Sequence, residues 1–187
     1  MSKRSLLSGL FVVVVSLGGE FAWAQQSPTV TKSPLTSTSD LTIAVLKEIQ
    51  DIEERTVAIA EDFPDNLYNS YRPKGDQDVR TAAEILLHIA EQNYSYASLM
   101  RTKQQQEALI ASGKKPDAKD ILTFVSKQDV VVKVKASFAA VREAIQDNPD
   151  PKKIEWWLYV IAHSNGHFGN LVTYYRDNGL VPPTSRQ

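Results

Sequence analysis

The chain has 187 residues, with 21 basic and 22 acidic side chains, a formal net charge of −1 and no cysteine. Such balance gives no electrostatic reason to expect nucleic acid or an anionic membrane surface as a partner. The lack of cysteine excludes disulfides, a thiol nucleophile and thiolate metal ligands, and neither a glycine-rich phosphate loop nor a serine-hydrolase elbow is present.

The first residues read as a secretory signal. Lys3 and Arg4 supply a basic start, residues 6–17 a short apolar core around Val12, Val13, Val14 and Val15, and Ala22-Trp23-Ala24 a cleavage site. The apolar run is shorter than the roughly 20 residues a spanning helix needs, and no cysteine follows it to carry a lipid. Cleavage after Ala24 therefore predicts a periplasmic or secreted protein with no stable membrane insertion once the signal is removed. Losing 24 of 187 residues takes basic side chains from 21 to 19 and acidic ones from 22 to 21, leaving a charge near −2. Residues 25–39, rich in Ser, Thr and Pro, read as a flexible tether.

Ser39-Asp40 is a plausible helix cap. Leu41, Val45, Ile49, Ile52, Thr56 and Ile59 then recur at helical spacing until Pro64. Residues 68–78, with Pro73 and Gly75, read as a loop. A second helix is expected over 79–111, with Ala83, Leu86, Leu87, Ala90, Tyr94 and Ala97 as its apolar stripe and Gly113 and Pro116 ending it. A short helix or turn covers 117–125. Ser126 and Asp129 form a cap for a third long helix, carried by Val131, Val134, Phe138, Val141 and Ile145. Residues 130–135 also fit a strand, but the helical period continues and no partner strand is visible. Asn148-Pro149-Asp150-Pro151 breaks the chain. A last helix is expected over 154–178, capped by Gly179 with Pro182 and Pro183 beyond. Four long helices predict an all-α four-helix bundle over 40–187.

The chain has three histidines: His88 on the second long helix, and His163 and His167 on the last. Four-residue spacing puts His163 and His167 on one helix face, where two imidazoles can grip one metal ion. A third from a facing helix would leave a three-histidine site with an open position. His163 shares its stripe with Trp156, Tyr159, Val160, His167, Asn170 and Tyr174. That stripe is either the wall of a small-molecule pocket or a core with histidines at its edge. No Glu follows His163, so the zinc-protease pattern H-E-x-x-H is absent. His88 lies opposite the main stripe of its helix, among Thr81, Glu84, Ile85, Glu91, Gln92, Ser95 and Leu99. This is either a solvated face or a polar rim in which Glu84 or Glu91 orients an imidazole or serves as base. Helical spacing also nominates Tyr159 and Asn170 as groups supporting the histidines.

Three segments carry a resemblance to a known family: Phe63-Pro64 through Tyr68 to Tyr71-Arg72-Pro73; Val79-Arg80-Thr81 through His88; and Ala162-His163 through His167, Arg176 and Gly179 to Pro183. In this order the chain resembles the DinB-like superfamily. The resemblance implies an up-up-down-down bundle and one divalent metal, zinc or nickel, held by His88, His163 and His167, with no histidine left for acid–base work. It also implies pairing through bundle faces as a homodimer. Relatives with known activity include thiol-dependent transferases and isomerases, and a metal with three neutral ligands and an open position suits either a metal-dependent hydrolase or a thiol-type transferase acting on a small-molecule substrate. Export favours hydrolysis, since a cytoplasmic thiol would be scarce outside. The competing reading is a bundle that binds metal or ligand without turnover. Gly166, inside the ligand pair, departs from the pattern: glycine within a helix costs about 1 kcal/mol relative to alanine.

Overall fold

A computed structural model describes residues 37–186. The expected signal peptide, and all of the expected tether but its last three residues, lie outside them. Among the described residues the chain is all-helical: α1 (Thr38–Asp62), α2 (Asp65–Tyr68), α3 (Ala82–Met100), α4 (Lys103–Ala111), α5 (Ala118–Leu122), α6 (Lys127–Asp147) and α7 (Ile154–Asp177), with short 3-10 turns at 73–75, 151–153 and 183–185. None of these helices is long and apolar enough to cross a membrane.

Local chemistry sets most boundaries. Ser37, two residues earlier than the sequence suggested, accepts a hydrogen bond from the Asp40 amide and starts α1. Pro64 ends α1 at Phe63. Ser126 caps α6 by accepting from the Asp129 amide, and the helical reading of 130–135 holds over the strand alternative. At the end of α7, Gly179 sits at φ +69°, and the Leu180 amide reaches back to the Tyr175 carbonyl.

The expected helix over 79–111 is two helices. Thr81 and Glu84 form a reciprocal capping box that starts α3 at Ala82, and Thr102 and Gln105 form another that starts α4. Both boxes stand in the sequence as T-x-x-E and T-x-x-Q. Between the helices Arg101 turns extended, and its buried guanidinium donates to the carbonyls of Ala97 and Ala140 at 3.2 and 3.0 Å. These bonds recruit Arg101 to tie α3 to α6 rather than to continue the helix.

The four long helices touch in the cyclic order α1, α6, α3, α7. Their side-chain pairs fix direction. On α1 and α7, Arg55 meets Asn165 and Asp62 meets Tyr175, so these helices run the same way. On α3 and α6, Asn93 meets Ser137 and Arg101 meets Ala140, again the same way. Between α3 and α7 the order reverses: the Arg80 carbonyl accepts from Tyr174, His88 meets His163, and the Leu99 carbonyl accepts from Lys153. Between α1 and α6, Glu61 pairs with Lys135 and Glu53 with Arg142. The chain order is therefore up-down-down-up, not up-up-down-down. The reason lies in the connections. Residues 63–81 fold at one end and return α3 beside the C-terminal end of α1. Residues 101–126, with α4 and α5, carry the chain back along the helices, so α6 begins where α1 ended, with Lys127 donating to the Phe63 carbonyl at 2.8 Å.

The core lies inside this ring. Ile49, Ile52, Ile59, Leu86, Val134, Phe138, Val141, Ile145 and Trp157 are all fully buried, and each aliphatic side chain so buried contributes about 1.5–3 kcal/mol. Helix α3 buries more than one face. Ile85 and Ile89, off its expected stripe, are as buried as Leu86 and Leu87, because α3 packs against both α6 and α7.

The two capping boxes give a contrast in expected stability. Thr81 is buried and heads the most enclosed helix, so Thr81→Ala should cost about 1–2 kcal/mol in global unfolding followed by circular dichroism in urea. Helix α4 buries no residue, so Thr102→Ala should fray it locally and shift the midpoint by much less.

Candidate metal centre

Because α3 and α7 run antiparallel in contact, the single histidine of α3 meets the pair on α7. Ring centroids stand 5.0 Å apart for His88 and His163, 5.0 Å for His88 and His167, and 4.6 Å for His163 and His167. One nitrogen from each ring lies within 4.8 Å of the others, and the Nε2 atoms of His88 and His163 approach to 3.3 Å. All three rings are partly buried. The helix pair places together all three residues that the sequence singled out.

Electrostatics keep the cluster neutral. Burial pushes the His163 pKa down to about 4, helped by its two neighbouring imidazoles and by Arg80. Burial also lowers His88 and His167, again with Arg80 adding to it; Glu91 partly offsets the effect at His88. Each neutral imidazole keeps one N–H, which His88 and His163 can share at 3.3 Å, and also offers one lone pair to a common ion. A divalent cation would convert that crowding into coordination, since neutral imidazole is a common ligand for zinc, nickel and copper. The donor set fits such an ion.

Of the supporting residues expected from helical spacing, two stand beside the cluster and two do not. Asn170 Nδ2 is 3.5 Å from His167 Nδ1, and Glu91 Oε2 is 3.9 Å from His88 Nδ1, beyond hydrogen-bond length. Glu84 is occupied elsewhere, accepting from Arg72 at 2.8 Å and from the Thr81 amide at 2.7 Å. Tyr159 stacks on Tyr96 and Trp156 rather than touching a histidine. Tyr96, edge-on to His163 at 6.1 Å, was missed although it lies two turns beyond His88 on the same helix. Arg80 was missed too. It sits just before α3, and only the packing of α7, with Tyr174 donating to its carbonyl at 2.7 Å, brings it near the cluster. The aromatic stripe of α7 is core only in part: Val160 and Tyr174 are buried. Trp157 and Tyr175, outside that stripe, are fully buried, while Tyr159 is 54% exposed.

A cavity of about 790 Å³ lies elsewhere, between α3, the α4–α5 crossover and α6. Tyr94, Leu109 and Ile121 line it, and it shares only Glu91 with the surroundings of the histidines. Donor chemistry, not cavity size, therefore marks the functional site.

Two outcomes follow for this helix pair. Gly166 is exposed, and a Cβ built there meets nothing within 4 Å. Close backbone approach therefore does not require glycine, and Gly166→Ala should raise the unfolding free energy by about 1 kcal/mol. The depressed His163 pKa means that the unfolded chain takes up a proton before the folded one does. The metal-free protein should thus lose stability as pH falls from 6.5 towards about 4, and His163→Asn should flatten that slope in urea titrations.

The model of the DinB family matches residues 35–186. No curated protein and no solved structure matches the chain. A match of that extent, on an all-helical chain that gathers three histidines from two facing helices, settles the family: the protein belongs to the DinB family.

Proposed function

We propose that this DinB protein is exported, is cleaved after Ala24, and works in the periplasm or outside the cell as a metal-dependent hydrolase or thiol-type transferase acting on a small molecule. His88, His163 and His167 would hold one divalent cation, zinc or nickel. The observation that carries the reading is the convergence of three neutral imidazole nitrogens within 4.8 Å of one another at a partly open position.

Bound there, a divalent cation would supply Lewis acidity, polarising a substrate oxygen and lowering the pKa of water. The protein's own part is to hold three neutral ligands and keep the site partly dry. Asn170 would fix the orientation of His167, and Glu91 would face the remaining nitrogen of His88. Hydrolysis is the preferred reaction class, because an exported protein is removed from the cytoplasmic thiol pool. The chain's balanced charge supports neither nucleic acid nor an anionic surface as partner. We also propose that the protein acts as a homodimer without stable membrane insertion.

One observation favours a second reading, a bundle that binds metal or ligand without turnover. The carboxylates nearest the cluster are engaged: Glu84 by Arg72 and Thr81, and Glu91 by Gln92 at 2.6 Å. That leaves Glu91, itself hydrogen-bonded, as the carboxylate beside the histidines among the described residues.

Elemental mass spectrometry on untagged protein, with His163→Ala alongside, tests the metal centre. About one equivalent of a transition metal should be present or taken up, and lost in the variant while far-UV circular dichroism stays unchanged. Chelation should also lower the melting temperature, because the ion binds only the native arrangement. No uptake by the wild-type chain would end both the enzymatic and the metal-binding reading. Metal uptake with no turnover of ester, amide, phosphoester or thiol-acceptor substrates would leave the second reading.

A further inference from the structure

The three histidines do not account for the aromatic rings beside them. From His163 a run of rings leads away along the seam between α3 and α7. Tyr96, from α3, meets His163 edge-on at 6.1 Å; Tyr159, from α7, stacks on Tyr96 at 6.0 Å with planes 12° apart; Trp156, one turn earlier on α7, stacks on Tyr159 at 5.8 Å. The run is not core. Tyr159 is 54% exposed, whereas its near neighbour Trp157 is fully buried, and Tyr96 and Trp156 are half-buried. Leaving large rings in water forfeits the free energy their burial would give. Centroids near 6 Å are too far apart for full overlap, so the rings are offset and part of each face stays open.

The chemistry of the run narrows what can lie on it. It carries phenol and indole but no ionised side chain, so it suits a flat, uncharged body. An ammonium group could also sit on these faces, but a divalent ion held at the histidines would repel it. At the histidine end the requirement is opposite: a group with electron pairs to offer.

We propose that Tyr96, Tyr159 and Trp156 seat the flat aromatic body of the substrate while its oxygen-bearing head group sits at the three histidines, making the substrate class a small aromatic acyl compound. This rests on the reading of the histidines as a metal centre. The rings are specificity-determining rather than catalytic: they select the body of the molecule and set its head group against the ligands.

Two probes with the same chelating group separate these roles. Zinc-loaded protein is titrated calorimetrically with benzohydroxamate and with acetohydroxamate, which lacks the ring. Benzohydroxamate should bind about tenfold more tightly. Tyr159→Ala, at an exposed position, should lose most of that preference and leave zinc stoichiometry and acetohydroxamate affinity unchanged, while Tyr159→Phe should keep it. Equal binding of the two probes by zinc-loaded wild type, or a preference that survives in both Tyr159→Ala and Trp156→Ala, would overturn the aromatic seat and leave the metal centre standing. Failure of the wild-type chain to take up zinc, with neither hydroxamate bound, would instead remove the metal centre and this proposal with it.

Discussion

The packing of α3 against α7 is the contact on which the rest of the molecule's chemistry depends. It is antiparallel, and along one line it brings Arg80 to Tyr174, His88 to His163 and His167, Tyr96 to Tyr159, and Leu99 to Lys153. Reversing either helix would carry His88 away from the pair on α7 and scatter the aromatic run. A shift of one turn, about 5.4 Å, would exceed the 4.8 Å within which the three nitrogens now lie. The site thus depends on register as much as on residue type.

That register is held from behind and from the end. Behind the histidines, α3 is pinned to α6 by a buried hydrogen bond from Asn93 to Ser137, whose own hydroxyl donates to the Val134 carbonyl, and by Arg101 bonding across to Ala140. A buried polar pair is costly when misaligned, so Asn93 and Ser137 favour one alignment over its neighbours. At the end where α1 and α7 finish together, Asp62 accepts from Tyr175 at 2.9 Å and from Arg186 at 2.8 and 2.7 Å. The Arg186 guanidinium holds the Asp62 carboxyl below its ordinary range despite partial burial. Arg72 bonds to both the Val79 carbonyl and Glu84, anchoring the loop to the start of α3 just ahead of Arg80 and His88.

The same packing explains why the site is sparing in chemistry. Glu84, which looked available by helical spacing, is spent on capping α3 and binding Arg72. Tyr159 is spent on stacking. What remains beside the imidazoles is one amide from Asn170 and one carboxylate from Glu91 near His88. Such a site offers three imidazoles and an aromatic edge rather than a relay of acids and bases.

The sequence by itself determined the all-helical class, most helix ends, and the pairing of His163 with His167. These are local properties: helical period, capping residues, Pro64 and Gly179 as stops, and a four-residue spacing that one helix turns into a shared face. The break at Arg101 was also written locally, in Thr102 and Gln105, but a continuing helical period masked it. Only the tertiary structure decided the direction of the helices, because a long connection such as 101–126 can return the chain to either end. Tertiary packing also decided which face of α3 is wet. His88 reads as surface on a helical wheel drawn around one stripe, yet α3 has two buried sides, and the second is where α7 lies. Arg80, Tyr96 and the open aromatic seam follow from that second side, since each acquires its role from a residue more than sixty positions away in the chain.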